Sequence, residues 1–395
     1  MNAYYRPTRA EISLDALRRN VQSFRAAMPE GMKLMASVKA NAYGHGAVEV
    51  AREASSSGAD YLGVAFLDEA LQLRRAGIET PILVLGYVPA EALAAARESD
   101  ITIALFSEEI LKAITALPAG SKPLRVHVKI DTGMGRLGLL ADHIEEAVHF
   151  IQRAASEPNL EVEGLFTHYA RADETDKGYT KLQYERFAAL VERLKQSDVE
   201  IPIIHAANSA AGIDTPEWGG GMLRLGISMY GLYPSAEVNR QRIQLEPVLS
   251  LKTQVVMVKQ APEGWGISYG SRYVTKGEER IGTLPIGYAD GFSRMLTGKA
   301  EAIVRGHRVP VLGTICMDQC MIALDMNDGA AAGDRIEAGE EVVLIGSQQG
   351  ETITVDEVAA KLGTINYEVT CMLADRVPRV YTREGKVVTV YNPLD

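Results

Sequence analysis

The sequence predicts an α/β protein in which a (β/α)8 barrel of the TIM type is followed by a second, mostly β domain. The chain has 395 residues, which is too long for one ordinary domain. In its first part, eight short apolar runs alternate with amphipathic helical patterns, and eight is the strand number of this barrel. From about Glu246, β-branched runs and glycine-containing turns replace the helical patterns. We therefore predict a barrel over residues 1–245 and a β domain over residues 246–395.

The elements of the barrel follow from their periodicity. Ser13 is placed to cap a first helix, in which apolar side chains recur at helical spacing from Leu14 to Met28. The predicted strands are Leu34–Lys39, Tyr61–Phe66, Ile82–Leu85, Ile101–Leu105, Arg125–Asp131, Val162–Thr167, Ile203–Ala207 and Met222–Ile227. Helical patterns separate most of them, at Asp68–Ala76, Ala90–Arg97, Glu108–Ala116, Ile144–Ala155 and Thr180–Gln196. An open doubly wound sheet also alternates strands with helices, but the count of eight favours the barrel, and no G-x-G-x-x-G follows the first strand.

The second domain is predicted from short β-branched segments. Its expected strands are Val248–Lys259, Arg280–Ile286, Glu301–Val304, Val309–Met317 and Glu341–Ile345. Two helical patterns, Val355–Leu362 and Glu368–Ala374, follow near the end of the chain. This mixture predicts a domain that is mostly sheet.

Composition excludes several classes of protein. The formal net charge is −10 and basic residues do not cluster, which argues against a nucleic-acid partner. No segment approaches the ~18 apolar residues of a membrane span, and the first residues lack the apolar core of a signal peptide. The three cysteines include no C-x-x-C pair, which suits a reducing compartment. We expect a cytoplasmic protein with no membrane partner, and no metal site, because Cys316 and Cys320 lack a nearby histidine pair.

The candidate chemistry lies where barrel strands end, since barrel enzymes carry their sites at the carboxyl ends of the strands. Lys39 ends the first strand inside the segment Val38–Gly46, and a lysine that burial partly strips of its proton is a nucleophile suited to Schiff-base formation. Other donor or reactive groups follow later strands: Tyr43, His168, Asn208, Ser209, Arg224, Gly226 and Ile227. Barrels often bind phosphate after strands seven and eight, where Ser209 and Gly226 fall. Taken singly, each residue has an ordinary structural explanation, and their convergence on one barrel face favours a site.

Strand Arg125–Asp131 has an unusual inner face. Its period of two puts Arg125, His127, Lys129 and Asp131 on one side and the apolar residues on the other. Charged side chains inside a barrel are costly unless they are paired, so either this strand lines the site or its register is shifted by one residue. Arg136 follows in a glycine-rich loop, where an arginine suits a carboxylate or a surface ion pair equally well.

Over essentially its whole length the chain resembles the alanine racemases, pyridoxal-phosphate enzymes with a barrel and a C-terminal β domain. The most specific motifs are Val38–Gly46, Ile267–Gly270, Cys316–Gln319 and Ile365–Glu368. The resemblance implies interconversion of L- and D-alanine by two bases on opposite faces of Cα, and a D-alanine supply for cell-wall peptidoglycan. It also implies a homodimer with shared active sites.

The resemblance assigns a role to each candidate residue. It implies that Lys39 forms the aldimine with pyridoxal 5′-phosphate, that Tyr269 and Met317 come from the β domain of the partner subunit, and that Arg224 faces the pyridine nitrogen. The implied contacts to the phosphate are Tyr43, Ser209, Gly226, Ile227 and Tyr367, with Asn208 beside them. His168 packs by the ring, Arg136 and the Met317 backbone hold the substrate carboxylate, and Lys129 matches a lysine that is carbamylated in many relatives. That modification would explain the charged face of the fifth strand.

Two other functions stay open on the sequence. A broader racemase for serine or other small amino acids would use the same residues, and rates on L-alanine, L-serine and L-lysine distinguish the two. A cofactor-binding regulator on the same barrel would keep Lys39 without a second base, and the presence of Tyr269 with a whole β domain argues against it.

Overall fold

The computed structural model describes residues 4–118, 122–324 and 335–394. The chain divides into two compact units. The barrel unit comprises Leu17–Ala42 and Ala47–Glu246, and the β unit comprises Met1–Ala16, Tyr43–Gly46 and Pro247–Asp395. The segment that follows the candidate lysine therefore leaves the barrel unit for four residues and returns to it.

The chain begins with a strand of the β unit and continues into the barrel. The strands in order are β1 (Arg9–Ser13), β2 (Lys33–Ser37), β3 (Tyr61–Val64), β4 (Ile82–Val84), β5 (Ile101–Leu105), β6 (Leu124–Asp131), β7 (Leu139–Leu140), β8 (Leu160–Phe166), β9 (Ile203–His205) and β10 (Met222–Leu225). In the barrel unit the hydrogen-bonded order is β10-β2-β3-β4-β5-β6-β8-β9, all parallel, with β7 paired to β6 outside this path. Arg224 N donates to Ala207 O over 3.1 Å and brings the two ends of the order together. The eight predicted strands thus form a nearly closed barrel, as the sequence indicated.

Helices follow most barrel strands. They are α1 (Leu14–Ala27), α2 (Lys39–Tyr43), α3 (Ala47–Ser56), α4 (Leu67–Arg75), α5 (Leu93–Glu98), α6 (Glu108–Thr115), α7 (Ile144–Ala155), α8 (Gly178–Lys195) and α9 (Ser209–Asp214). Ser13 caps α1 as predicted, since its Oγ accepts from Ala16 N over 3.2 Å. No helix among the described residues is long and apolar enough to cross a bilayer.

The barrel interior is apolar in one part and polar in another. Met35, Tyr61, Leu83, Ile203 and Met222 pack together as a buried cluster. On β6 the alternation is as predicted, and the inward side chains of His127 and Lys129 are 0% and 5% exposed. The register of this strand was therefore predicted correctly, and its polar face lies inside the barrel.

The β unit is a ten-strand path of sheet with one branch. Its later elements are β11 (Leu249–Gln254), β12 (Met257–Ala261), β13 (Gly266–Ile267), β14 (Tyr273–Val274), β15 (Glu279–Leu284), β16 (Glu301–Val304), β17 (His307–Leu312), β18 (Cys320–Ala323), β19 (Glu341–Gln348), β20 (Glu351–Ile353), α10 (Val355–Leu362), α11 (Asn366–Cys371), β21 (Arg379–Arg383) and β22 (Lys386–Tyr391). The order is β12-β15-β18-β17-β16-β19-β11-β1-β21-β22, with β20 paired to β19 and β13–β14 as a separate hairpin. β1 lies between β11 and β21, with Ala10 and Ile12 fully buried.

Three predicted elements need correction. The first barrel strand ends at Ser37 rather than at Lys39, because a left-handed turn begins after Lys39. The run Val248–Lys259 is two strands, since the chain changes partner from β19 to β15 near Val256. The run that starts near Val309 ends at Leu312, where Gly313 takes a φ of +64°.

Candidate active site

The loop after β2 holds Lys39 at the start of a left-handed turn. Ala40, Asn41, Ala42 and Tyr43 all have φ between 51° and 53°. Left-handed backbone costs L-residues about 1–2 kcal/mol each, so the surrounding structure must hold this turn in place. Strain of this kind in a non-glycine segment is typical of functional sites.

In the β unit, the other end of the turn is tightly held. The rings of Tyr43 and Tyr367 lie 6.2 Å apart, which brings two predicted site residues together. Arg379 Nε donates to Gly44 O over 3.0 Å, and the Tyr381 hydroxyl donates to His45 O over 3.1 Å. Gly44 has a φ of +84°, and a Cβ there would meet Thr370 O at 2.1 Å, so only glycine fits.

Arg224, on β10, is buried inside the barrel end. Its Nη2 donates to Thr167 O (2.8 Å) and Ala206 O (2.9 Å) and approaches His168 Nδ1 at 3.2 Å. Burial lowers the pKa of Arg224 to about 10, although the nearby Tyr169 acts in the opposite direction. At neutral pH the guanidinium is still charged. Among the described residues, its Nε–H has no hydrogen-bond acceptor.

Behind Arg224, a chain of buried polar side chains crosses the barrel. Arg224 Nη1 lies 3.0 Å from His205 Nδ1, His205 Nε2 lies 2.8 Å from His127 Nδ1, and His127 Nε2 lies 3.1 Å from Glu163 Oε2. Tyr61 donates to Glu163 Oε1 over 2.9 Å at the far end. Sequence reasoning placed His127 on an inward face but missed His205 and Glu163, because neither belongs to a motif.

The two ends of this chain determine its protons. Arg224 has only donors and an ionised Glu163 has only acceptors, so each histidine accepts at Nδ1 and donates at Nε2. Burial lowers the pKa of both His127 and His205, which keeps the rings neutral. Burial by itself would raise the pKa of Glu163, but its hydrogen bonds from His127 and Tyr61 bring the pKa below its ordinary value. The chain therefore joins a cation at the site to an anion deeper in the barrel.

Several cations surround His168. Burial lowers the pKa of His168 well below its ordinary value, and Arg224, Arg136, Lys129 and Lys39 lower it further. Five predicted site residues are thus brought together in the barrel unit. The imidazole of His168 is neutral at pH 7, and the surrounding charge is strongly positive.

Lys129 is the most constrained of these cations. Its Nζ lies 5.2 Å from the centre of the Phe166 ring. Burial, followed by repulsion from Arg136 and Arg224, lowers its pKa to about 8. The loop that carries Arg136 is shaped by Asp131, whose Oδ1 accepts from Gly133 N over 2.9 Å.

The ends of β9 and β10 bring the predicted phosphate donors close together. Gly226 N donates to Ser209 Oγ over 2.8 Å, which joins the two loops. Asn208 caps the helix that Ser209 begins, because its Oδ1 accepts from Ala211 N over 3.0 Å. Ile227 opens a short 3-10 helix that runs to Tyr230. Hydroxyl and backbone N–H groups at helix starts are well suited to an anion.

Tyr269 and Met317 lie in the β unit with exposed side chains, at 72% and 52%. Ser268, just before Tyr269, has φ 64° and ψ −176°, a conformation that is almost confined to glycine. The Tyr269 carbonyl accepts from Thr314 Oγ1 over 2.9 Å. The Met317 carbonyl accepts from Ala289 N over 3.1 Å. Backbone contacts thus hold both residues while their side chains stay exposed.

The structure therefore sorts the predicted site residues into two groups. The barrel unit holds Lys39, Lys129, Arg136, His168, Asn208, Ser209, Arg224, Gly226 and Ile227, and the β unit holds Tyr43, Tyr269, Met317 and Tyr367. A lysine amine among cations, with hydroxyl and N–H donors nearby, is suited to a small anionic molecule that the amine holds covalently.

Comparison with known proteins agrees over the whole chain. The family model of the alanine racemase N-terminal domain matches residues 12–234, and that of the C-terminal domain matches residues 248–381. Alanine racemase from Clostridium tetani is 44% identical over 99% of this chain and 100% of its own length. Alanine racemase from Halalkalibacterium halodurans is 47% identical over 100% of both chains.

Solved structures are equally similar. Alanine racemase from Bacillus anthracis, with L-Ala-P bound, superposes with a TM-score of 0.93 at 43% identity, covering 100% of this chain and 99% of that one. Alanine racemase from Clostridium difficile, in complex with cycloserine, has a TM-score of 0.89 at 39% identity and covers 99% of each chain.

Proposed function

This chain belongs to the alanine racemase family and interconverts L- and D-alanine, and we propose that it does so with pyridoxal 5′-phosphate held by Lys39 and with Tyr269 of a second copy as the opposing acid–base group. The observation that carries the proposal is the grouping of Lys39, Lys129, Arg136 and Arg224 around a neutral His168. We further propose a cytoplasmic homodimer whose D-alanine supplies cell-wall peptidoglycan.

The donors of the barrel unit fit this cofactor. Pyridoxal 5′-phosphate carries an aldehyde, a phosphate and a ring nitrogen, and its ring withdraws electrons from the substrate Cα when it is bound. Lys39 supplies the amine for the aldehyde. Ser209, Gly226 and Ile227, together with Tyr43 and Tyr367 and with Asn208 nearby, supply donors for the phosphate. The Nε–H of Arg224, which has no acceptor among the described residues, is available for the ring nitrogen.

Arg224 has a second effect on the reaction. A guanidinium gives up its proton far less readily than a carboxylic acid does, so Arg224 donates a hydrogen bond to the ring nitrogen without protonating it. An unprotonated ring is a weaker electron sink and gives a shorter-lived carbanion, which suppresses transamination. Glu163, which balances Arg224 through two neutral histidines, keeps the guanidinium oriented and charged.

Racemisation needs a proton removed from one face of Cα and another returned to the opposite face. Lys39 acts on one face and the Tyr269 hydroxyl acts on the other, each contributing roughly 10²–10⁴-fold. Tyr269, Tyr288, Met295, Met317 and Ile365 are large apolar residues of the β unit with exposed side chains. Exposed apolar groups of this kind mark interaction surfaces and support a second copy as the partner.

The substrate carboxylate is assigned to Arg136 and to the backbone N–H of Met317. An arginine binds a carboxylate through two parallel hydrogen bonds. Lys129 orients Arg136 after reacting with CO₂: its neutral amine forms the N–C bond, one proton is released, and the resulting carbamate is an anion. The lowered pKa of Lys129, about 8, favours this reaction because only the neutral amine attacks CO₂.

The test is a polarimetric assay with added cofactor. We expect rapid racemisation of L-alanine and slower reaction of L-serine and L-lysine. Lys39→Ala should abolish both the racemisation and the absorbance of the attached cofactor, whereas Tyr269→Phe should keep the absorbance and lose turnover by about 10²-fold or more. Full activity in Lys39→Ala, or equal loss of absorbance in both variants, would contradict the proposed roles.

A further inference from the structure

The lysine loop changes its handedness directly after the reactive amine. Left-handed residues begin at Ala40, and Lys39 is not among the residues with positive φ. The peptide that joins Lys39 to Ala40 is therefore the point at which the backbone turns from ordinary to left-handed geometry. If Ala40 relaxed to negative φ, this peptide would rotate and the Cα–Cβ direction of Lys39 would change relative to the rest of the loop.

One carboxylate holds that peptide. Glu69 Oε1 accepts a hydrogen bond from Ala40 N over 2.6 Å. Its other oxygen, Oε2, accepts from Ala65 N over 2.7 Å and from Phe66 N over 3.2 Å. Glu69 lies in the first turn of α4, which begins at Leu67 in the loop after β3. The two oxygens of Glu69 thus join the loop after β2 to the loop after β3, both within the barrel unit.

The far side of the turn has its own support. Asn41 Oδ1 accepts from Ala47 N over 2.8 Å at the start of α3, and Ala42 N donates to Val38 O over 2.9 Å. These bonds lie after the peptide in question or span it. Among the described residues, Glu69 is the only side chain with a hydrogen bond to the Ala40 amide.

We propose that Glu69 is a positioning residue for Lys39: its carboxylate binds the Ala40 amide, maintains the left-handed turn, and so directs the Lys39 amine. This inference rests on the proposed function only in taking Lys39 as the reacting amine. Glu69 itself touches neither substrate nor cofactor in this role. A misplacement of about 1 Å in a reacting group can cost up to ~10²-fold in rate, so the effect should appear in kcat.

Glutamine distinguishes this role from ordinary helix capping. At the third position of a helix, glutamine serves in a capping box about as well as glutamate does. Bridging two loops needs acceptors on both oxygens, and the amide of glutamine has one acceptor and one donor group. A donor facing either Ala40 N–H or the Ala65 and Phe66 N–H groups breaks the bridge. Glu69→Gln therefore tests the bridge, and Asp68→Asn is the matched control, since Asp68 is an exposed acid in the same helical turn.

The experiment has two readouts. In the cofactor-free chain, amide hydrogen exchange over residues 38–42 should become about 10-fold faster or more in Glu69→Gln, because the Ala40 amide loses its acceptor. In the loaded enzyme, kcat for alanine should fall on the order of 10-fold, with KM changed by less than about twofold. Asp68→Asn should match the parent within about twofold in both measurements. A Glu69→Gln variant that matches the parent in exchange and in kcat, or a control that loses as much, overturns the proposal.

A strain-relief variant keeps the test informative if Glu69→Gln is poorly folded, which a thermal melt of the cofactor-free chain checks. Glycine takes left-handed φ without strain, so in the Ala40→Gly background the loss of kcat on adding Glu69→Gln should shrink to less than about threefold. An undiminished loss there would refute the positioning role. Lys39→Ala is measured in parallel: if that variant still racemises alanine, the proposed function is wrong, whereas its inactivity beside a normal Glu69→Gln rejects only the role of Glu69.

Discussion

Replacing Lys129 by methionine should stabilise the protein at neutral pH while it impairs catalysis. Lys129 is 5% exposed, and its pKa falls from the ordinary 10.5 to about 8 in the folded state. One pKa unit corresponds to 1.36 kcal/mol. Below pH 8, both the folded and the unfolded chain hold this proton, so the full cost of burying the cation, about 3 kcal/mol, acts on the parent. Methionine has a similar shape and avoids that cost.

The pH dependence has a definite sign. Between pH 8 and 10.5 the unfolded chain binds more protons at Lys129 than the folded chain does, so the stability of the parent rises with pH. The difference in free energy of unfolding between Lys129→Met and the parent should therefore narrow from about 3 kcal/mol at pH 7 to about 1 kcal/mol at pH 9.5. Above pH 10.5 this contribution disappears.

Urea denaturation at the two pH values, in buffer purged of CO₂, measures this difference. Lys181→Met is the control, because Lys181 is 62% exposed and its replacement should give no gap that changes with pH. Added bicarbonate should stabilise the parent alone, since a carbamate on Lys129 turns the buried cation into an anion facing Arg136. A gap that stays constant from pH 7 to 9.5, or a Lys129→Met variant less stable than the parent at pH 7, would refute the reasoning.

Further changes test the polar framework around the site. Arg379→Met should cost about 3 kcal/mol or more in a chemical denaturation series, because fully buried Arg379 donates to four carbonyls, among them Gly44 O; a loss below 1 kcal/mol would contradict this. Glu163→Leu should cost about 1–3 kcal/mol by the same method, because either tautomer of His127 then leaves a buried N–H unsatisfied or opposes it to another N–H; Glu163→Gln, which keeps an acceptor, should lose less. Arg136→Lys should raise the KM for alanine on the order of 10-fold, because lysine lacks the planar fork that grips a carboxylate, and steady-state kinetics with an unchanged KM would exclude the assignment.

Local periodicity predicted the barrel well. The strand Ile101–Leu105 and the helix Ile144–Ala155 match their predicted bounds, and the polar inner face of β6 was derived from alternation alone. These features depend on which side chains face a core, and a period of two or 3.6 residues records that in the sequence. The sheet order of the β unit was beyond this reasoning, because pairing between distant strands leaves no periodic signal. β1 illustrates this, since a strand from the start of the chain lies between β11 and β21.

The site divides in the same way. Lys39, His168, Ser209 and Arg224 were found because they follow predicted strands, and a barrel fold then places them at one end. His205 and Glu163 were missed because a lone histidine or glutamate on a strand has no distinguishing neighbours in sequence. Their contribution depends on hydrogen bonds to residues 19 to 78 positions away.

By itself, then, the sequence determined the fold class, the family and the residues that can react, since composition, period and motif are local properties. Tertiary structure decided the left-handed turn at Ala40, which the local preferences of alanine oppose and which Glu69 and other distant contacts impose. It also decided the neutral states of His127 and His205, because their pKa values depend on burial and on partners that only folding brings near.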